Sequence, residues 1–377
     1  MKKEVEVSKK SNGGIDFGMF VITISLLCIG LVMVASASSY HALIYYGDSN
    51  HLFVRQLCFA LVGIVAMIAI SKVDYRKYKK WGYLAFILAA ILLLSVITPL
   101  GVTRNGAKRW LGIGEVLQFQ PSEIMKPVLV IAIATYLSRN TRKLNDWKGY
   151  IVPIIMLLIV GLLMYFQKHM SGLLVLGVAA LSVIFTSGVK LKTKTIVAAV
   201  LIVGLAGTAF IFADNFRLQR IFSFLNPEQD IQDGNWQAAQ SLYAIGSGGL
   251  LGRGLGQSRQ KYLWLPEAQN DFIFSILGEE LGFVGSAVVL ILFACFIFKG
   301  YKIAMTCKDF YGSLIAAGIT SVFAIQIIVN IAVVTCTMPV TGMPLPFFSY
   351  GGTSLAINLC SMGVLLNISK NCNTVKE

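Results

Sequence analysis

Ten apolar stretches recur along the chain, near residues 16–36, 52–71, 81–100, 119–138, 149–166, 170–188, 195–213, 272–298, 310–338 and 352–369. Each is long enough, or nearly so, to cross a hydrocarbon core of ~30 Å, which takes about 20 helical residues. Backbone crossing lipid must satisfy its own hydrogen bonds, and these runs are helical in length, not strand-like. Composition agrees. The chain is 56% hydrophobic and only 13% charged, whereas a soluble domain is ~45–50% apolar and ~25% charged. The expected fold class is therefore an all-α polytopic membrane protein with about ten transmembrane helices. One membrane domain, 16–369, lies between tails at 1–15 and 370–377. The start, "MKKEVEVSKKSNGG", lacks a small-residue cleavage pattern and reads as a retained tail, not a signal peptide.

Charge sets the expected orientation. With the N-terminus inside, the inner segments are the N-tail, 72–80, 139–148, 190–194, 299–309 and the C-tail. They hold 21 of the 32 Lys and Arg but, with Asp16 included, only 7 of the 18 acids. Both termini are thus expected to be cytoplasmic, in a multi-pass protein of the bacterial cell membrane. The net charge of +14 is a topology signal and needs no nucleic acid partner. "KVDYRKYKK" reads as a juxtamembrane polybasic loop. None of the seven Cys falls in an expected outer loop, so no disulfide framework is expected. The three His are scattered, and a zinc site has no sequence support.

Two outer regions are unusual. The first is a loop at 214–271, long enough to imply a function and rich in Gly, Trp and Gln. The second is 101–126, "GVTRNGAKRWLGIGEVLQFQPSEIMK". Only twelve residues separate Lys126 from Arg139, about 18 Å of helix. That is too short to span, so Glu123 and Lys126 are expected at or below the outer headgroup level. At i,i+3 they can pair, and ionisable groups at that depth mark a site, a polar cavity or a structural ion pair. Pro127 releases the Glu123 carbonyl from its helical bond.

Within "NWQAAQSLYAIGSGGLLGRGLGQSRQKYLWLPE", Trp236 and Gln237 begin a helical pattern, then Gly crowd together from Gly246 to Gly256. These Gly permit close approach to another helix or to an anionic headgroup. Arg253, Arg259 and Lys261 supply charge for a phosphate. In "WLPEAQNDFIFSILGEELG", Glu267, Asp271, Glu279 and Glu280 crowd before an apolar run. Residues 281–298 suffice to span, which puts Glu279 and Glu280 at the outer interface. Asp271 then faces the aqueous side or a cavity, as a general base or as a helix cap. Further on, Gln326 and Asn330 are read as amides that join helices. A Pro-rich turn follows, and then Ser349, Tyr350, Gly351 and Gly352 open the last helix. Backbone N–H groups and hydroxyls there suit an anion.

Together, "AKRWL", "QFQPSEIMK", "NWQAAQSLYAIGSGGLLGRGLG", "KYLWLPEAQNDFIFSILGEELG", "QIIVN" and "PVTGMPLPFFSYGGTS" resemble the SEDS family of bacterial cell-wall proteins. "SRQKYLWLPE" resembles the division and sporulation branch (FtsW, SpoVE) more than the elongation branch (RodA). The resemblance implies a peptidoglycan glycosyltransferase that polymerises lipid II at the outer membrane face beside a class B penicillin-binding protein. It implies Asp271 as the essential acid. A donor linked α through pyrophosphate gives a β-1,4 product, so one inverting displacement suffices. That needs a base for the acceptor hydroxyl and cations for the departing pyrophosphate. Arg109, Lys126, Arg253 and Lys261 are the candidate cations, with a divalent ion (Mg or Mn) as a further candidate. Gln120, Glu123, Trp236, Gln237, Glu267, Ser349, Tyr350 and Gly351 complete the expected substrate site. One departure stands out. The turn after the fifth helix reads "FQKHMSG", with Lys168 and His169 where the family often has an acid, so no acidic role is carried there. Rival readings are a lipid II flippase, a small-solute transporter and a non-catalytic scaffold for a transpeptidase. The transporter predicts mirrored hydropathy halves, and no such repeat is found.

Overall fold

A computed structural model describes residues 14–104, 107–113, 117–145, 147–188 and 236–372. Helices α1 (Phe17–Tyr46), α2 (His51–Lys72) and α3 (Tyr78–Ile97) come first. Then come a three-stranded antiparallel sheet and α4 (Pro121–Arg139), α5 (Ile151–Phe166) and α6 (Met170–Thr186). After the break follow α7 (Trp236–Gly248), α8 (Ile273–Thr306), α9 (Phe310–Val334) and α10 (Gly352–Cys372). Nine of the ten expected spans therefore coincide with a described helix. The tenth, 195–213, and the first part of the outer loop, 214–235, lie outside the described residues. Among the described residues, seven helices are long and apolar enough to cross a membrane. The chain is a multi-pass membrane protein.

Side-chain chemistry fixes how the helix ends meet. Asp16 caps α1 by accepting from the Met19 N–H at 2.9 Å and from Lys299 Nζ at 3.0 Å. Its own N–H donates to Ser369 Oγ at 3.0 Å. The start of α1, the far end of α8 and the end of α10 thus share one end of the bundle. There Tyr75 Oη donates to Asp309 Oδ2 at 2.6 Å, and Arg139 donates to the Lys79 carbonyl at 2.6 Å. Basic residues of three expected inner loops, Lys79, Arg139 and Lys299, are thus held at this end. In the centre, α9 is buried along nearly its whole length, while α2, α3 and α8 leave apolar faces exposed, as lipid-facing helices do.

Three features differ from expectation. The fold is not purely α: β1 (Gly101–Arg104), β2 (Ala107–Ile113) and β3 (Leu117–Phe119) form a sheet in the order β1-β2-β3. Gly101 pairs with Leu111, and Leu111 with Phe119. The sheet lies between α3 and α4, where short polar-apolar runs carry no helical period. Next, Cys336 lies past the end of α9 with φ +53°, and its thiol donates to the Ala238 carbonyl. Finally, Gly282 breaks α8 with φ +67° and ψ −164°. Residues 273–281 form a short buried helix, and 283–306 form the span. A side chain at Gly282 would collide with Gly252 backbone. The Gly282 bend is therefore fitted to the α7–α8 connection, where only glycine allows both the positive φ and the contact.

Candidate active site

Asp271 precedes the short buried helix. Phe272, not Asp271, holds the N-cap position, and no side-chain cap bond forms there. The backbone around Asp271 is held from two directions. Asn330 Nδ2, in the buried α9, donates to the Asp271 carbonyl at 2.8 Å and to the Met343 carbonyl at 2.7 Å. From the turn before α10, Ser349 Oγ donates to the Asn270 carbonyl, and the Tyr350 N–H donates to the Gln269 carbonyl at 2.9 Å. The Asp271 carboxylate faces Gly342 in the Pro-rich segment: a side-chain carbon built there would stand 3.3 Å from Asp271 Oδ2. Asp271 itself is half-buried. Asn330 thus joins α9 to two loops, where an amide joining helices was expected. At the expected anion site, the Ser349 hydroxyl and the Tyr350 and Gly351 N–H groups bond within the protein: the Gly351 N–H donates to Gln56 Oε1 at 3.1 Å, and Ser349 Oγ also accepts from the Leu345 N–H at 2.7 Å. These three residues position the Asp271 segment.

A second cluster sits at the start of α4. Lys126 Nζ lies 2.6 Å from Glu123 Oε1, with only 4% of either side chain exposed. The pair read from i,i+3 spacing therefore forms, and it is buried. Ser354 Oγ in α10 donates to Glu123 Oε2 at 2.8 Å. Beneath the pair is a small cavity lined by Glu123, Lys126, Asn358 and Ser361 on its polar side, with room for about one water. The "QKHM" turn closes the cluster. His169 is buried, with Nδ1 3.5 Å from Gln120 Nε2, and Arg109 donates to the Lys168 carbonyl. Burial, then the positive charges of Arg109 and Lys126, hold the His169 imidazole well below its ordinary pKa.

The two clusters share one support. Ser349 reaches Asn270, and Ser354, one turn into α10, reaches Glu123. The start of α10 therefore sets Asp271 and the buried ion pair relative to each other.

At the mouth of α8, Glu279 and Glu280 are fully buried within the protein. Glu279 accepts from Ser258 Oγ, from the Arg259 N–H at 3.0 Å and from the Gln260 N–H at 3.3 Å, with Arg253 Nη1 at 3.5 Å. Glu280 accepts from Ser36 Oγ at 2.6 Å and pairs with Lys261 Nζ at 3.6 Å. Lys261 is itself buried and donates to the Gly256 carbonyl. Lys261, expected among the cations for the pyrophosphate, is thus held in an ion pair inside the protein. Carboxylates lost to desolvation must be paired to be tolerated, and this pairing pins 253–261 onto the short helix. Arg253 keeps 32% of its side chain exposed and can still meet a ligand. Gly248 and Gly252 meet the Gly278 and Glu280 backbones, so their close approach serves helix packing and not an anion.

The remaining expected residues lie on the rim. Trp236 Nε1 donates to the Trp264 carbonyl at 3.0 Å and Gln237 is half-buried beside it in α7. Glu267 has φ +55° and accepts from Asn270 Nδ2, which ties it to the Asp271 turn. Sequence reasoning passed over Gln56 and Ser354. The signal was available: each is a polar side chain in an apolar helix, rare in lipid without a partner. Among the described residues no three His, Cys, Asp or Glu side chains gather.

Residues 17–374 match the family model described as "Cell cycle protein", which groups FtsW, RodA and SpoVE. The chain is 41% identical over 358 residues to stage V sporulation protein E of Bacillus subtilis (strain 168), covering 94% of this chain and 97% of that protein. It is 38% identical to a probable peptidoglycan glycosyltransferase FtsW of Geobacter sp. (strain M18), with 94% and 97% covered. Its fold is similar to Rod shape determining protein RodA of Thermus thermophilus, with TM-score 0.70, 26% identity and coverage of 96% and 98%. It is also similar, with TM-score 0.78, 26% identity and coverage of 95% and 98%, to a chain solved in work on coordination of polymerization and crosslinking by a peptidoglycan synthase complex. With the described helices, the Asp271 turn and the buried Glu123–Lys126 pair inside the matched region, the chain belongs to the FtsW/RodA/SpoVE family of cell-cycle membrane proteins, the SEDS family.

Proposed function

We propose that the chain is a peptidoglycan glycosyltransferase that polymerises lipid II into glycan strands at the outer face of the cytoplasmic membrane, during septum synthesis in division or sporulation. The observation that carries this reading is the placement of Asp271. Its backbone is fixed by Asn330 and, through Asn270 and Gln269, by Ser349 and Tyr350, and its carboxylate lies beside Gly342 of the Pro-rich segment, at the end of the bundle away from Asp16, Lys299 and Asp309. A carboxylate so held is preorganised to accept a proton.

The chemistry is a single displacement. Asp271 takes the proton from the 4-hydroxyl of the acceptor sugar. That oxygen attacks the anomeric carbon of the donor, the bond to pyrophosphate breaks, and configuration inverts. Arg109 and the part-exposed Arg253 are the cations we assign to the departing pyrophosphate. Lys126 acts from within its ion pair, shaping the cavity wall with Glu123 and Gln120. Trp236, Gln237 and Glu267 line the approach. A divalent cation, Mg or Mn, would have to arrive with the pyrophosphate, and no step here runs through it. The polyprenyl tail stays among the lipid-facing helices. The partner we propose is a class B penicillin-binding protein. Support comes from the fold shared with a chain of a peptidoglycan synthase complex.

The test is polymerisation of purified lipid II by the purified chain, with and without its cognate transpeptidase. Glycan strands longer than the starting disaccharide are expected. Transbilayer movement of lipid II with no polymer would instead favour the flippase reading.

A further inference from the structure

Near the outer start of α2 sits one buried amide. Gln56 is 1% exposed, on a helix whose Val54, Leu61, Val62 and Val65 are at least half exposed. Its two polar atoms grip one turn. Nε2 donates to the Ser349 carbonyl at 3.2 Å, and Oε1 accepts from the Gly351 N–H at 3.1 Å. Packing α2 against α10 would need only an apolar side chain here, whereas a buried amide carries a desolvation penalty unless both ends are bonded. The turn that Gln56 grips is the one that holds Asp271: Ser349 Oγ donates to the Asn270 carbonyl and the Tyr350 N–H donates to the Gln269 carbonyl. An unbroken series of hydrogen bonds therefore runs from α2 through residues 349–351 to the residues just before Asp271. Asn330 holds the other side of the same segment.

We propose that Gln56 is a positioning residue for the glycosyl transfer: its amide sets the Ser349–Gly351 turn, and through that turn the place of the Asp271 carboxylate. This rests on the reading of Asp271 as the base. Gln56 does not touch the reacting atoms. Its loss displaces the base from the acceptor hydroxyl without removing a contact to lipid II.

The experiment uses the full chain with its transpeptidase and fluorescent lipid II. It compares the parent with Gln56→Leu, Gln56→Glu and Cys58→Ser, the last on the lipid-exposed side of the same helix. For Gln56→Leu, kcat is expected to fall roughly 10- to 100-fold with KM changed by less than about threefold, as for a misplaced catalytic group. Cys58→Ser is expected to match the parent. Gln56→Glu supplies a readout that does not depend on Gln56→Leu folding. Its neutral carboxyl can donate to Ser349 and accept from Gly351 as the amide does, and its ionised form cannot donate. Its activity relative to the parent is therefore expected to rise as pH falls. A folded Gln56→Leu chain with parental kcat, a change confined to KM, or a Gln56→Glu ratio flat with pH would overturn the inference. The two readings fail differently. Parental activity in Asp271→Asn removes the base whatever Gln56 does; an inactive Asp271→Asn beside a fully active Gln56→Leu removes only the positioning role.

Discussion

The side-chain amide of Asn330 donates to the main-chain carbonyl of Asp271 at 2.8 Å and to that of Met343 at 2.7 Å. One buried amide on the central helix thus holds both the acid-bearing segment and the Pro-rich turn that its carboxylate faces. Replacing Asn330 by Leu leaves two carbonyls without their donor. The expected loss is about 1–3 kcal/mol of stability per stranded group, with a fall in turnover larger than any change in lipid II binding. Thermal unfolding in detergent and steady-state kinetics together check this.

Lys126 and Glu123 are buried as a pair. Lys126→Met strands a carboxylate and is expected to destabilise the chain by about 3–5 kcal/mol, while Glu123→Gln with Lys126→Met restores much of that. The comparison is between unfolding temperatures of the single and double variants. A double variant no more stable than Lys126→Met would mean the two charges do not compensate each other.

Gly282 combines φ +67° with backbone contact to Gly252. Gly282→Ala is expected to cost about 1–3 kcal/mol through strain and collision. It should also loosen the α7–α8 connection, read as faster proteolysis within 249–262. A parental cleavage rate would show that the bend is not fixed by this contact.

The His169 imidazole is held below its ordinary pKa by burial first, then by Arg109 and Lys126. The unfolded chain therefore takes up this proton before the folded one does. Stability from the neutral ring is fully present above about pH 6.5 and is lost as pH falls below it toward the folded value. His169→Gln is expected to flatten this part of the stability–pH curve while leaving the rest in place. Unfolding temperature measured from pH 7.5 to 5 decides it.

How much of this was legible in the sequence depends on the range of the interaction. Helices with apolar runs could be located, because lipid length alone sets them, but their ends could not: α1 runs to Tyr46 and α8 to Thr306, well past the expected 36 and 298. The Glu123–Lys126 pair was legible too: its spacing is local, and the short distance to Arg139 fixed its depth. Glu279 and Glu280 were not. Their partners are Ser36, Ser258 and Lys261, and only the fold brings α1 and the 253–261 loop to them. The same holds for Ser349, Tyr350 and Gly351. A helix start rich in donors does suit an anion, but here Gln56, Gln269 and Asn270, remote in sequence, occupy those groups first. The sheet at 101–119 was hidden because its strands are short and lie where a functional loop was expected. The Asn-Gly pair at 105–106 is the hairpin signal that reading passed over.

The most direct measurement is lipid II polymerisation by Asp271→Asn beside the parent, each purified with its transpeptidase. Asparagine keeps the shape and the backbone bonds to Asn330 but cannot accept the proton. The expected result is a chain that folds, binds its partner and lipid II as the parent does, and polymerises more slowly by a factor on the order of 100 or more. Parental strand synthesis by Asp271→Asn would contradict the account and leave Asp271 a structural residue.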